Sequence, residues 1–152
     1  MKLLDLLKAE SATIVAEATQ RLLRSRLKHY AEAGADESRE RLQRLFDLLL
    51  ESLETRNLTP VMEHSAQVAV ERYNAGFDIQ EVQAAINALE EATWRHVVQA
   101  LPPEALAESI GLLTTVLGAA KDALARKYVE LASQHKSPSL NLSALFKGTP
   151  GV

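Results

Sequence analysis

The sequence predicts an all-α protein of about five main helices, the last of them long. Apolar residues recur at intervals of three and four, and no stretch shows the sustained alternation of a strand. Glycine and proline divide these segments at the positions where helices commonly end or begin. The chain has 152 residues, of which 47% are hydrophobic and 24% charged. This length and composition suit one domain with a full apolar core.

The first two predicted helices meet near Gly34. The first runs from about Leu3 or Ser11 to Ala33, and glycine often stands directly after a helix. Asp36 is the expected N-cap of the second helix. The core face of that second helix has the spacing of an amphipathic helix and comprises Leu42, Leu45, Phe46, Leu49 and Leu53.

The third and fourth predicted helices have clear start signals. Thr59 is the expected cap of the third helix, with Pro60 at its first position. Asp78 and Glu81 have the spacing of a capping box, and this predicts a helix start at the fourth segment. Phe77 is expected to pack onto the first turns of the same helix.

The last predicted helix opens at Pro103 and extends from Glu104 to about His135. It carries a near-heptad seam of Leu106, Ile110, Leu113, Leu117, Ala120 and Leu124. A second apolar stripe on the same helix comprises Leu112, Val116, Ala119 and Ala123. Because this helix is apolar on more than one face, it is either central to the fold or shared with a second subunit. Residues 137–152, rich in serine, glycine and proline, are predicted to form a flexible tail.

Composition excludes several classes of protein. The chain has no cysteine, which rules out a disulfide scaffold, a thiolate metal site and a cysteine nucleophile. Its formal net charge of -3 argues against a nucleic-acid partner. No segment approaches the roughly 18 apolar residues of a membrane span, and Asp5 and Lys8 interrupt the apolar N-terminus. We therefore expect a cytoplasmic protein with no membrane partner.

The sequence carries no recognisable catalytic or metal-binding motif. Glu-x-x-His, His-Glu-x-x-His, the Gly-x-Ser-x-Gly nucleophile elbow and a glycine-rich phosphate loop are all absent. We therefore expect a protein that is not an enzyme and that holds no metal ion.

Histidine residues are the remaining candidates for chemistry. His96 lies at the edge of an apolar stripe, two residues after Trp94, so it is either a heme ligand or pocket group or a partly buried imidazole bonded to a carbonyl. His64 has the same two interpretations. His29 and His135 are expected near helix C-termini at the surface.

One segment resembles a known family. The run from Arg72 to Val82, RYNAGFDIQEV, continuing to Ala85, Leu89 and Trp94, is similar to the N-terminal sensory domains of RsbR-type co-antagonists. These are bacterial stressosome proteins of the general stress response. The resemblance covers roughly residues 1–136. It implies a globin-like fold without heme, a homodimer, and a signal that passes through the last helix to an output domain or another signalling protein.

The resemblance also implies roles for particular residues. A pocket between helices would involve Phe46, Tyr73, Trp94 and His96. The dimer interface would be formed by Ile110, Leu112, Leu113, Val116, Leu117, Ala120 and Leu124. Residues 137–152 are too few for the usual output domain, which predicts a stand-alone sensor or a fragment. Two alternatives remain at this point: a heme sensor that uses His96 or His64, and a helical protein–protein adaptor.

Overall fold

The computed structural model describes residues 2–136, and this part of the chain forms six helices and no strand. The helices are α1 (Leu3–Ala9), α2 (Ser11–Arg24), α3 (Lys28–Thr55), α4 (Thr59–Asn74), α5 (Ile79–Ala100) and α6 (Pro103–Lys136). The predicted all-α class with a long last helix is confirmed. The flexible tail predicted for residues 137–152 lies outside the described residues.

The first predicted helix has the alternative start at Ser11 and the break at Gly34, but it is wrong in its continuity, because the chain also breaks at Arg26. Glu10 separates α1 from α2, and Arg26 separates α2 from α3 with a left-handed φ of 58°. Gly34 then lies inside α3 with φ 86° and ψ 174°, so two helical segments meet there at a kink. A residue with a Cβ rarely adopts this conformation, which explains why glycine occupies the position.

Two of the three predicted caps need correction. Asp78 and Glu81 form the predicted capping box at the start of α5. Thr59 is the first residue of α4, and the Oδ1 atom of Asn57 accepts a hydrogen bond from its N–H at 3.1 Å. Asp36 lies within the helical segment that follows the kink at Gly34, and its carboxylate accepts a hydrogen bond from Arg39 on the surface instead of capping the backbone.

The core is formed where α6 packs against α4 and α5, and where α2 packs between α3 and α5. The largest side chains that are fully buried come from every helix, and they include Leu7, Ile14, Phe46, Val61, Leu89 and Leu117. In the part of the chain that the structure describes, no helix is both long enough and apolar enough to cross a membrane.

Candidate functional site

A cavity of about 450 Å³ opens between α3 and α4. Its floor is apolar and draws on four helices: Leu22 of α2, Leu42 and Leu45 of α3, Val82 and Ile86 of α5, and Leu124 of α6. Its walls are polar. A concave site with an apolar floor and a few polar groups is the usual form of a small-molecule pocket, and this one includes a residue of the long last helix.

Charged residues line the walls of the cavity in equal numbers. Three are arginines, Arg41, Arg44 and Arg72, and three are glutamates, Glu37, Glu40 and Glu71. Arg41 forms an ion pair with Glu37, and an Nη atom of Arg72 lies 3.6 Å from a carboxylate oxygen of Glu71. The glutamates therefore engage part of the positive charge on the walls.

Three polar atoms of the cavity residues are buried without a partner. They are Nη1 of Arg41, Nε of Arg72 and Oγ of Ser38, and none has a hydrogen-bond partner among the protein atoms that the structure describes. A buried polar group without a partner costs about 1–3 kcal/mol, and more when it is charged. Such groups are uncommon in folded proteins, and together they identify a place that a ligand could satisfy.

The positive charges affect the ionisable groups around them. Burial, together with the charge of nearby Arg41, lowers the pKa of Arg72. Burial also lowers the pKa of His64, an effect to which Arg44 and Arg72 add, so neutral imidazole is favoured there. Burial raises the pKa of Tyr30, which also lines the cavity, to about 12. The cavity thus presents fixed guanidinium charges beside neutral His64 and Tyr30 near neutral pH.

Phe77 contacts both of the half-buried arginines of the cavity. The guanidinium carbons of Arg41 and Arg72 lie 5.9 and 5.6 Å from the centroid of its ring, within the range of a cation–π contact. Gly76, with φ 85°, turns the chain so that Phe77 follows the end of α4. The hydroxyl of Tyr128 in α6 donates a hydrogen bond to the Phe77 carbonyl at 3.2 Å. The loop before α5 therefore joins the cavity arginines to the last helix.

His29 lies on the other side of Phe77, and its predicted position is wrong. It is the second residue of α3, stacked on the Phe77 ring at 4.5 Å. Its Nδ1 atom lies 2.8 and 2.9 Å from the two carboxylate oxygens of Glu81. Burial opposes ionisation of Glu81, but hydrogen bonds from the Asp78 N–H and from His29 outweigh it and lower the pKa of this carboxyl. The side chain of His135, for which we predict a surface position, lies outside the described part of the chain.

His96 is held between two carboxylates at the packed surface of α1, α2 and α5. Its Nδ1 atom contacts Glu10 and its Nε2 atom lies 2.9 Å from a carboxylate oxygen of Glu17. Burial disfavours the charged imidazole, but the hydrogen bonds to the two glutamates outweigh it and raise the pKa of His96. Both ring nitrogens are therefore engaged by carboxylates, which leaves neither of them free to bind iron in this arrangement.

The four residues of the predicted pocket do not line this cavity. Phe46 is fully buried in the core, and Tyr73 packs edge to face on Tyr128. Trp94 is 40% exposed, and His96 faces Glu10 and Glu17. Sequence reasoning did not assign Arg41 or Arg72 to a pocket. Arg41, four residues after Glu37, also fits a solvated helix face, and Arg72 directly follows Glu71 without any local signal of a cavity.

The predicted dimer seam lies largely inside the chain. Five of its seven residues are buried where α6 packs against α4 and α5: Leu113, Val116, Leu117, Ala120 and Leu124. These five side chains are therefore packed into the core of their own chain, and their part in a dimer interface stays a prediction. Ile110 and Leu112 are half-buried. The homodimer itself stays a prediction.

Comparison with known families gives a match over most of the chain. Residues 6–135 match the family described as the RsbT co-antagonist protein rsbRD N-terminal domain. The chain belongs to this family. Family membership indicates a regulatory domain of the stressosome type, as the RYNAGFDIQEV segment predicts. No curated protein and no solved structure matched the chain. Within residues 2–136, no three or more histidine, aspartate or glutamate side chains are grouped as a metal site.

Proposed function

We propose that this chain is a non-catalytic sensory domain that dimerises and relays a signal through α6 to a partner or output domain. The observation that carries the proposal is the connection from the cavity to the last helix. Leu124 of α6 lines the cavity. Tyr128, one turn further along α6, donates a hydrogen bond to the carbonyl of Phe77. A shift of the Arg41 or Arg72 side chain would therefore displace Phe77, whose carbonyl is bonded directly to α6.

The relay requires two arrangements of the contact between Phe77 and α6. The carbonyl of Phe77 lies in the short segment between α4 and α5, where four residues separate the two helices. Short segments of this kind absorb changes in backbone angles more easily than helices do. In this proposal, a shift of Phe77 alters the last turns of α6, which lead towards the C-terminal end of the matched region.

The dimer that we propose uses the side of the molecule formed by α5 and α6. Trp94 and Val98, one turn apart on α5, are 40% and 45% exposed. Lys121 of α6 donates a hydrogen bond to Glu90, which lies one turn before Trp94 on α5. Ile110 lies three turns before Lys121, on the same side of α6. Neighbouring exposed apolar side chains such as Trp94 and Val98 are typical of an interaction surface.

Sedimentation equilibrium tests the dimer. We expect the wild-type chain to be dimeric at micromolar concentration and Trp94→Glu to be monomeric. Met62→Glu is the matched control, because Met62 is also 40% exposed but lies on α4. A wild-type monomer at about 100 µM, far above the roughly micromolar dissociation constant expected, would contradict the dimer. If Trp94→Glu and Met62→Glu disrupt the dimer equally, the dimer interface does not lie on the α5–α6 side.

We also propose that the domain works without heme. The engagement of both His96 nitrogens by Glu10 and Glu17 supports this view. Hemin titration followed by absorbance is the test, and we expect no sharp Soret band. A Soret band that is lost in His96→Ala or in His64→Ala would overturn the heme-free proposal and identify the ligand of the iron.

A further inference from the structure

We propose that the cavity between α3 and α4 binds a small organic carboxylate with an apolar body. This inference rests on the proposed sensory function, and it names the chemical class of the signal. The carboxylate would face Arg41 and Arg72, and the apolar body would lie on the floor that includes Val82 and Leu124.

The unpartnered groups on the walls fit a carboxylate. Nη1 of Arg41 and Nε of Arg72 are buried N–H donors without partners among the described residues. Both guanidinium groups lie near the ring of Phe77, and burial together with the charge of Arg41 lowers the pKa of Arg72. Two N–H donors match the two oxygens of one carboxylate, an anion that guanidinium groups bind through charge-assisted hydrogen bonds. The buried hydroxyl of Ser38 is a third possible donor.

The charge on the walls favours a monoanion over a doubly charged phosphate. Glu37 and Glu71 already lie beside Arg41 and Arg72, and Glu40 adds a third negative charge. Because the three glutamates balance the three arginines of the walls, no excess positive charge is left to stabilise the second negative charge of a dianion. The ligand class is therefore a carboxylate, and inorganic phosphate serves as a comparison.

The apolar floor and the volume of the cavity indicate a ligand larger than a small ion. A volume of about 450 Å³ lies in the range of pockets that hold drug-sized molecules. Leucine, valine and isoleucine side chains line the floor, and a polar ligand would leave them without apolar contact. The preferred ligand thus has a single charged head and an apolar body that reaches into the core.

Isothermal titration calorimetry with 4-phenylbutyrate tests this assignment in the full chain. We expect saturable binding, with at least about tenfold weaker binding of both acetate and 4-phenylbutan-1-ol, because each lacks one half of the recognised chemistry. Inorganic phosphate is expected to bind at least about tenfold more weakly as well. Equal affinity for the acid and its alcohol would overturn the carboxylate, and equal affinity for acetate would overturn the apolar body.

Matched variants locate the site. Arg72→Gln and Arg41→Gln each remove a donor and are expected to weaken 4-phenylbutyrate binding at least about tenfold. Arg39→Gln is the control, because its side chain is 57% exposed on the same helix as Arg41. Arg41→Gln alone decides the result if Arg72→Gln fails to fold. Unchanged affinity in folded Arg41→Gln, or equal loss in Arg39→Gln, would overturn the site.

The outcome is separable from the proposed function. If the wild-type chain shows no saturable binding of 4-phenylbutyrate, the carboxylate site is wrong, while the sedimentation and hemin experiments still decide the dimer and the heme-free state. If 4-phenylbutyrate binds to a chain that is monomeric, the site stands and the proposed dimer fails.

Discussion

His96 predicts a pH dependence of stability with a definite sign. Its pKa is raised in the folded chain because Glu10 and Glu17 bond the charged ring despite its burial. A group of this kind stabilises the fold fully below its unfolded pKa of about 6.5. The stabilisation is lost as the pH rises through the higher pKa of the folded state. We therefore expect His96→Gln to be less stable than wild type at pH 6 and equally stable at pH 9.

The size of the effect follows from the exposure of the partners. The side chains of Glu10 and Glu17 are 38% and 46% exposed, so each pair is closer to a surface ion pair than to a buried one. Pairs of this type contribute about 0.2–1 kcal/mol each, so two together contribute roughly 1 kcal/mol. For a domain of this length, that corresponds to about 2–4 °C in the melting temperature.

Thermal unfolding at pH 6, 7, 8 and 9 measures this difference. Wild type is expected to lose its advantage over His96→Gln progressively across the series. His64→Gln is a control of opposite sign, because burial lowers the pKa of His64. Its substitution removes a penalty that appears below about pH 6.5. If the difference in melting temperature between wild type and His96→Gln stays constant, or grows with pH, Glu10 and Glu17 do not stabilise charged His96 as described.

Three further predictions concern core packing at Leu117, the backbone at Gly34 and the carboxylate of Glu81. Leu117→Ala should lower the free energy of unfolding by about 2.7–5 kcal/mol at every protein concentration, since Leu117 is fully buried in its own chain; a smaller loss than for half-buried Leu112→Ala in urea unfolding would contradict this. Gly34→Ala should lower the free energy of unfolding by about 1–3 kcal/mol because of the positive φ at this position. The control Gly111→Ala, in open helix, should be neutral or stabilising by up to about 1 kcal/mol. Equal changes in melting temperature for the two variants would argue against the kink at Gly34. Glu81→Gln should lower stability by about 1–3 kcal/mol at pH 7 and by less at pH 3, because the lowered pKa makes its contribution disappear in acid; a loss that does not shrink in acid would exclude the ionised carboxylate as the cause.

The helices could be predicted from local signals, and the errors came where tertiary contacts override them. The Asp78–Glu81 box and the proline at the start of α6 depend on nearby residues, so the sequence located both starts. The turn at Arg26 carries no glycine, and nothing in the local sequence distinguishes it from a continuous helix. His29 was misplaced for the same reason, since its partner Glu81 is distant in sequence.

The candidate site was not predictable because its parts come together only in the fold. Arg41 and Arg72 lie on different helices, and the ring that orients them belongs to a third segment. The apolar pattern of α6 likewise could not distinguish a face buried in its own chain from one shared with another. Leu117 and Leu124 have the spacing of a coiled-coil seam, yet they are buried against the rest of the domain.

Amide hydrogen exchange tests whether the cavity communicates with α6. With saturating 4-phenylbutyrate, we expect slower exchange in the turns of α6 around Tyr128 as well as in the cavity walls, because the Phe77 carbonyl is the acceptor of the Tyr128 hydroxyl. Tyr128→Phe keeps the aromatic ring and should bind the probe while losing the effect in α6. Protection confined to α3 and α4 in wild type, or unchanged in Tyr128→Phe, would contradict a signal that passes through Phe77 to the last helix.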